Sequence, residues 1–290
     1  MTHKQAIAIY NIMNHLHHLN IIDSRATLED RKMNGTTDGL VYMLTVNEEP
    51  TYVLKLDNSA NISIVNQFHS TYPTRSILPK LYYTDPANAF ILYSYIKGTT
   101  HYHRGAKINW LSLLVTELLN HYQLEESTEK WGRLVDPCHS WREFNERGIE
   151  GARKNLDNLL PTEDYDKVHS LLEDTSNVSQ KYLLHGDAGV HNFVFDQSSL
   201  TGVIDPSPVV GPIIYDFAYA FCSSPDDLNL ETLFTAFDLL HDTSISQLRL
   251  IQEVILQLYC RIGICATVHP HDLEDYLKAW DDWKVLIPSL

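Results

Sequence analysis

The sequence predicts an α+β protein in two parts, a small β-rich N-terminal region and a larger, mainly helical C-terminal one. Short runs of β-branched and aromatic residues, separated by Gly, Asn and Pro turns, crowd into residues 25–96. From about residue 108 most apolar residues recur at three- and four-residue steps, the helical period. Charge divides near the same place. Residues 1–97 hold eight Lys and Arg against eight Asp and Glu, so the whole net charge of −15 falls on 98–290. The boundaries read from these signals are 1–96 and 97–290.

In the first part, residues 4–20 read as an amphipathic helix with Ile9, Ile12, Met13, Leu16 and Leu19 on one face. A short strand ends near Met33, a second spans Leu40 to Leu44, and a third spans Tyr52 to Leu56 after a turn at Asn47–Pro50. The glycine-bearing turn Asn34–Gly39 joins the first two. Such a turn brings backbone N–H groups close to phosphates, and Thr36 and Thr37 add hydroxyls. Lys55 stands in an apolar, alternating strand, where a buried ammonium needs a partner. Residues 78–83 and 89–96 read as two further strands.

In the second part, helices are expected over about 108–121, 140–160, 164–174, 228–241, 245–268 and 271–283. Residues 183–217 interrupt them with three strand-like runs, Leu183-Leu184, Phe193 to Phe195 and Leu200 to Ile204. Asp187, Asn192 and Asp205 therefore lie at strand ends or in the loops beyond, where strands hold the backbone and side chains face a site. Phosphoryl transfer needs a carboxylate to take or orient the acceptor hydroxyl proton, and oxygen ligands to hold Mg²⁺ on the phosphates. Asp187 suits the first role, Asn192 and Asp205 the second. A rival reading of the same stretch takes His185, Asp187 and His191 as a zinc site, since H-x-D-x-x-x-H has ligand-like spacing. In the phosphotransfer reading His191 is expected to face solvent or substrate.

His185-Gly186-Asp187, Asn192 five positions later, and Ile204-Asp205 resemble the catalytic loop and metal-binding aspartate of the aminoglycoside phosphotransferase family, a branch of the kinase-like fold. The resemblance is strongest over 183–217 and extends over nearly the whole chain. It implies a bilobal, protein-kinase-like fold with a nucleotide-binding N-lobe and a catalytic, acceptor-binding C-lobe. It implies transfer of the γ-phosphoryl group of ATP or GTP to a small-molecule hydroxyl, with Mg²⁺ as cofactor. Carried over residue by residue, Asp187 is the base, and Asn192 and Asp205 are the metal ligands. Gly35, Thr36, Thr37 and Gly39 form the phosphate loop, Lys55 pairs with the phosphates, and the backbone of Tyr95 and Ile96 meets the adenine edge. Asp216, in Tyr215-Asp216-Phe217-Ala218, accepts backbone N–H groups of the catalytic loop and braces it. One departure stands out. The family's lysine pairs with a glutamate on the following helix, yet residues 58–76 contain no acidic side chain; Asn61, Asn66 and Gln67 stand there instead.

The acidic second part repels nucleic acid and anionic membranes and suits a cationic, aminoglycoside-like acceptor. The carboxylates available to such an acceptor are Asp226, Asp227, Glu231, Asp272, Glu274, Asp275, Asp281 and Asp282. The same machinery serves a macrolide, an amino alcohol such as choline, homoserine or another metabolite. The missing helix glutamate keeps open a nucleotide-binding module with little catalysis. No uninterrupted apolar run reaches the roughly 18 residues of a membrane span, and Asn11, Asn14 and His15 break any signal-peptide core. Four cysteines without CxxC spacing suggest a reducing cytoplasm. The choice of acceptor, the choice between ATP and GTP, and the oligomeric state are not legible in the sequence.

Overall fold

Alternation along two neighbouring strands organises the first of two compact units, Met1–Lys97 and Gly98–Leu290, into which the chain divides. The computed structural model describes residues 3–33, 40–100, 102–241 and 245–287. The first unit runs α1 (His3–His18), β1 (Thr27–Met33), β2 (Leu40–Val46), β3 (Glu49–Leu56), α2 (Ser59–Thr71), β4 (Leu81–Thr84) and β5 (Phe90–Ser94). Its strands form one antiparallel sheet in the order β1-β2-β3-β5-β4. Successive side chains of a strand point to opposite faces. Tyr52 and Leu54 of β3, with Phe90 and Leu92 of β5, therefore pack with Ile9, Met13 and Leu16 of α1. Val53, Ile91 and Tyr93 pack on the other face with Ile62 and Val65 of α2. By the same parity Lys55 shares the α2 face. It lies between Val41 and Ile91 in the register and is buried. Two expectations shift slightly. Leu19 falls just past the end of α1 and is exposed, and β3 starts at Glu49, leaving a turn of Asn47 and Glu48, both at positive φ.

The second unit contains β6 (Thr99–Thr100), α3 (Lys107–Glu117), β7 (Gly132–Arg133), α4 (Trp141–Leu156), α5 (Thr162–Ser170), α6 (Leu172–Thr175), β8 (Tyr182–Leu184), β9 (Phe193–Asp196), β10 (Ser199–Val203), β11 (Val209–Gly211), α7 (Ile213–Cys222), α8 (Leu230–Phe237), α9 (Gln247–Thr267) and α10 (Leu273–Trp283). Two small sheets, β10-β9-β6 and β7-β11-β8, hold the loops of interest. Pro206, Pro208 and Pro212 make the stretch after Asp205 stiff and non-helical. It contains β11, the centre of the second sheet: Val209 pairs with Arg133 on one side and Leu184 on the other. Prolines flank this strand without entering it, so its own N–H groups stay available for pairing.

Helix α9 is the core of the unit. It is long and apolar enough on average to cross a membrane by length and composition, yet 67% of its most apolar 18-residue window is buried inside the protein, as in a core helix. It packs against α4, α7 and α10. The approach to α4 is so close that a Cβ on Gly263 would lie 2.6 Å from the Cα of Ala152.

Candidate active site

The loop after β8 turns on Gly186. Its φ is +77°, and a Cβ there would collide with the carbonyl oxygen of Ser207, so the position requires glycine. On either side of it the polar groups are committed. Asp187 donates its N–H to His185 Nδ1 at 3.3 Å, and His185 Nε2 lies 3.1 Å from the carbonyl of Ile204. A carbonyl only accepts, so Nε2 carries the proton and Nδ1 is the bare nitrogen. Burial pushes the His185 pKa down to about 4, which keeps this neutral form in place.

Asp216, near the start of α7 and fully buried, braces the loop as the resemblance implies. Both its oxygens accept the Gly186 N–H, at 3.1 and 3.2 Å, and Oδ2 accepts the Tyr122 hydroxyl at 2.6 Å. Tyr122 in turn accepts the His185 N–H at 3.1 Å. Burial nonetheless pushes the Asp216 carboxyl up to about 6, against the pull of these hydrogen bonds.

Asp187 is gripped more tightly. Tyr219 donates its hydroxyl to Oδ1 at 2.6 Å, Asn192 donates Nδ2–H to Oδ2 at 2.9 Å, and His191 Nε2 lies 3.1 Å from Oδ2. Burial would raise this carboxyl. The bonds from His191 and Tyr219 outweigh it and hold the group well below the usual carboxylate range. His191 therefore faces the aspartate while staying partly exposed. The cause is local: a single 3-10 turn, Val190–Asn192, folds positions 191 and 192 back over Asp187, with the Val190 N–H capped by Ser223 Oγ at 3.1 Å. This arrangement removes the zinc reading, because both His185 nitrogens are engaged. Among the described residues no group of three or more His, Cys, Asp and Glu side chains is placed to hold a metal.

Asn192 directs both its amide bonds to Asp187, one to Oδ2 and one to the carbonyl, each 2.9 Å. Its Oδ1 is the atom left to coordinate. The Ile204 N–H donates to the Asn192 carbonyl at 2.9 Å, which sets Asp205 beside it, with a positive φ of 56° that aspartate tolerates better than most residues. An amide oxygen and a carboxylate are hard donors, a set that fits Mg²⁺ and not a soft-ligand metal.

In the first unit, the residues standing where a helix glutamate was sought are turned elsewhere. Asn66 accepts from Thr84 Oγ1 at 2.8 Å, Asn61 donates to Asp57 at 3.0 Å, and Gln67 is exposed. The Tyr95 N–H is committed to the Thr51 carbonyl at 2.9 Å, so its own carbonyl and the backbone of Ile96 are what remain for an adenine edge. Gly35, Thr36, Thr37 and Gly39 lie outside the described residues.

A cavity of about 390 Å³ opens between α4, α7, α9 and β7, with Tyr219 in its wall. None of the eight carboxylates expected to meet an acceptor lines it. Several are neutralised at the surface instead: Asp226 by Arg104, Glu274 and Asp275 by Lys278, Asp281 by Lys284. The residues that sequence reading missed are Tyr122, Tyr219 and the cavity's arginines. Of these only Tyr219 left a signal, three positions after Asp216 and so on nearly the same face of α7.

The two units and the catalytic loop define a kinase-like α+β phosphotransferase. A family model described as the phosphotransferase enzyme family (APH) matches residues 31–242, and the chain belongs to that family. Among solved structures, an ethanolamine kinase of Plasmodium vivax is similar with a TM-score of 0.61 at 13% identity, over 98% of this chain and 89% of that one. A thermostable mutant of the aminoglycoside phosphotransferase APH(4)-Ia in its apo form gives 0.59 at 13% identity, over 90% and 94%. The streptomycin–ATP–APH(2")-IIa ternary complex gives 0.56 at 17% identity, over 96% and 98%. Such identities speak to the fold alone. No curated protein matches the sequence.

Proposed function

We propose that the protein transfers the γ-phosphoryl group of ATP or GTP to a hydroxyl group of a small molecule. The observation that carries this reading is the Asp187 carboxylate, held ionised by Tyr219, His191 and Asn192 beside the oxygen donors of Asn192 and Asp205. In the reaction the acceptor oxygen bonds to the γ-phosphorus, the bond to the bridging oxygen breaks, and the nucleoside diphosphate leaves. The hydroxyl proton passes to Asp187. A carboxylate held this far below its usual range is a weak base, so Asp187 orients the hydroxyl and takes the proton only as the new bond forms. Asn192 Oδ1 and Asp205 would hold Mg²⁺, which when bound neutralises phosphate charge. Lys55 and the Gly35–Gly39 loop are proposed for the phosphates, and the backbone of Ile96 with the Tyr95 carbonyl for the base. Residues 1–96 would then carry the nucleotide contacts and 97–290 the catalytic loop and acceptor. The four cysteines are free thiols, in keeping with a reducing cytoplasm as the place of action.

Similar structures support a nucleotide donor and a small acceptor: one APH(4)-Ia mutant binds AMP-PNP with hygromycin B, and APH(2")-IIa binds ATP with streptomycin. The absence of an acidic residue from α2 favours a second reading, a module that binds nucleotide with little turnover. Nucleotide-dependent ADP or GDP release with Mg²⁺, across aminoglycosides, amino alcohols, sugars and hydroxy acids, separates the two. Acceptor-stimulated release that is lost in Asp187→Asn is the expected result. Nucleotide binding without stimulated release by any acceptor would favour the module.

A further inference from the structure

The cavity behind Tyr219 has the opposite charge to the surface of its unit. Three guanidiniums, of Arg133, Arg147 and Arg261, line it against a single carboxylate, Asp136. Arg147 is accounted for, since it reaches Glu143 at 2.7 Å and Asp136 at 3.4 Å. Arg133 and Arg261 meet no carboxylate among the described residues. Arg133 donates to Ser207 Oγ at 2.7 Å, and Arg261 to Tyr276 Oη at 3.2 Å and the Ser223 carbonyl at 3.1 Å. Arg261 also bonds the Cys265 thiol, and with five N–H donors on each guanidinium both arginines keep donors to spare. The other titratable groups in the wall add no negative charge. Burial pushes the thiols of Cys222 and Cys260 up to about 12, and raises the Cys138 thiol and the phenols of Tyr215 and Tyr219 as well.

A second, independent observation points to a ligand. Asn145 of α4 lines the same cavity and is 3% exposed, yet its Nδ2 has no hydrogen-bond partner. An amide donor without a partner at this depth is uncommon in a folded protein unless something else supplies the acceptor.

The cavity lies next to the reacting group. Tyr219 lines it and touches Asp187 Oδ1, and Arg133 sits across β11 from Leu184, the residue before His185. We propose that the acceptor is a hydroxyl compound with an anionic oxygen group, a carboxylate or a phosphate monoester. Its anion is held in this cavity by Arg133 and Arg261, in the wall that Asn145 shares, while its hydroxyl reaches Asp187. A volume of about 390 Å³ suits a single-ring or short-chain compound. Polycationic acceptors are disfavoured there by like-charge repulsion. The hydroxyl's fate rests on the phosphotransfer reading; the binding of the anion does not.

The test is a calorimetric titration of the full chain, at constant ionic strength, with glucose, glucosamine, glucuronate and glucose 6-phosphate. One anionic member is expected to bind about ten-fold or more tighter than glucose and glucosamine, the effect of one charge-assisted hydrogen bond. Which one leads distinguishes carboxylate from phosphate. Arg133→Gln and Arg261→Gln should each remove the preference while Mg-nucleotide binding persists. If Arg261→Gln fails to fold, Arg133→Gln carries the test. Equal or undetectable affinities, tightest binding of glucosamine, or a preference unchanged in the variants would overturn the assignment. An arginine-dependent anion preference with no phosphoryl transfer to any member counts against the phosphotransfer reading alone. Transfer to neutral and cationic members with equal affinity counts against the anion site alone.

Discussion

The catalytic loop and the cavity behind it share Tyr219 but differ in how their polar groups are satisfied. Around Asp187 hydrogen bonds converge on every side chain: His185 uses both ring nitrogens, Asn192 spends its amide protons, and Asp216 gathers Gly186 and Tyr122. Around Asn145, Arg133 and Arg261, donors outnumber acceptors. The difference separates two kinds of preparation. A constellation satisfied within the protein keeps its geometry before substrate arrives, as chemistry requires. A wall with surplus donors keeps affinity in reserve for a molecule that completes it.

The largest expected effect lies on the satisfied side. Asp187→Asn should lower acceptor-stimulated turnover by about 10²–10⁴ with nucleotide binding retained, as initial rates and nucleotide titration would show. Next comes stability. Asp216→Ala leaves the buried Gly186 N–H and Tyr122 hydroxyl without their acceptor and should cost about 2–4 kcal/mol in urea denaturation. Asn145→Leu removes a donor that has no partner, and should change stability by less than about 1 kcal/mol. Similar losses at both positions would break the comparison.

The pH dependence of stability sharpens it further. Asp216 has its pKa raised to about 6, so the folded protein binds the extra proton and stability falls as pH rises from about 4 to about 6. His185 has its pKa lowered to about 4, so the unfolded chain binds the extra proton and stability rises from about pH 4 to 6.5. The two oppose each other, and buried Glu253, whose carboxyl burial also raises, adds to the falling side of the parent protein's profile. Asp216→Asn keeps an acceptor for Gly186 and removes the falling contribution. Relative to the parent its stability should climb by about 2–3 kcal/mol between pH 4 and 6.5; parallel curves for parent and variant would sink the assignment.

Tyr219→Phe should act more gently. With the hydroxyl gone from Oδ1 the Asp187 carboxyl moves back up towards its usual range, and the acid limb of the pH–rate profile should shift to higher pH by up to about one unit. The smallest effect belongs to the cavity wall. Gly151→Ala places a methyl in open space within a helix and should stabilise the protein by at most about 1 kcal/mol in thermal or urea denaturation.

Much of this was legible before any coordinates. The strand-like runs at 183–184, 193–195 and 200–204 became β8, β9 and β10, and all six expected helical segments are helical over most of their length. The misses share a cause. β11 is three residues long, too short for a period to register, and its place between β7 and β8 depends on partners 25 and 76 residues away in sequence. For His191 the sequence leaves solvent and substrate open, since it does not show that a 3-10 turn folds the residue over Asp187. Net charge likewise does not say which side chains reach one cavity, and none of the eight carboxylates between 226 and 282 lines this one.

By itself the sequence determined the order of the elements, the two-part division of composition and charge, and the His185–Asp187, Asn192 and Asp205 set. These rest on local propensity, alternation and spacing along a continuous stretch of chain. Only the tertiary structure decided that Tyr122 and Asp216 brace the loop, that Tyr219 holds Asp187, and that Arg133, Arg261 and Asn145 meet in one cavity. Those residues come from β7, α4, α7, α9 and a loop far apart in sequence. Long-range packing brings them together, and burial with its low dielectric then sets their charge states.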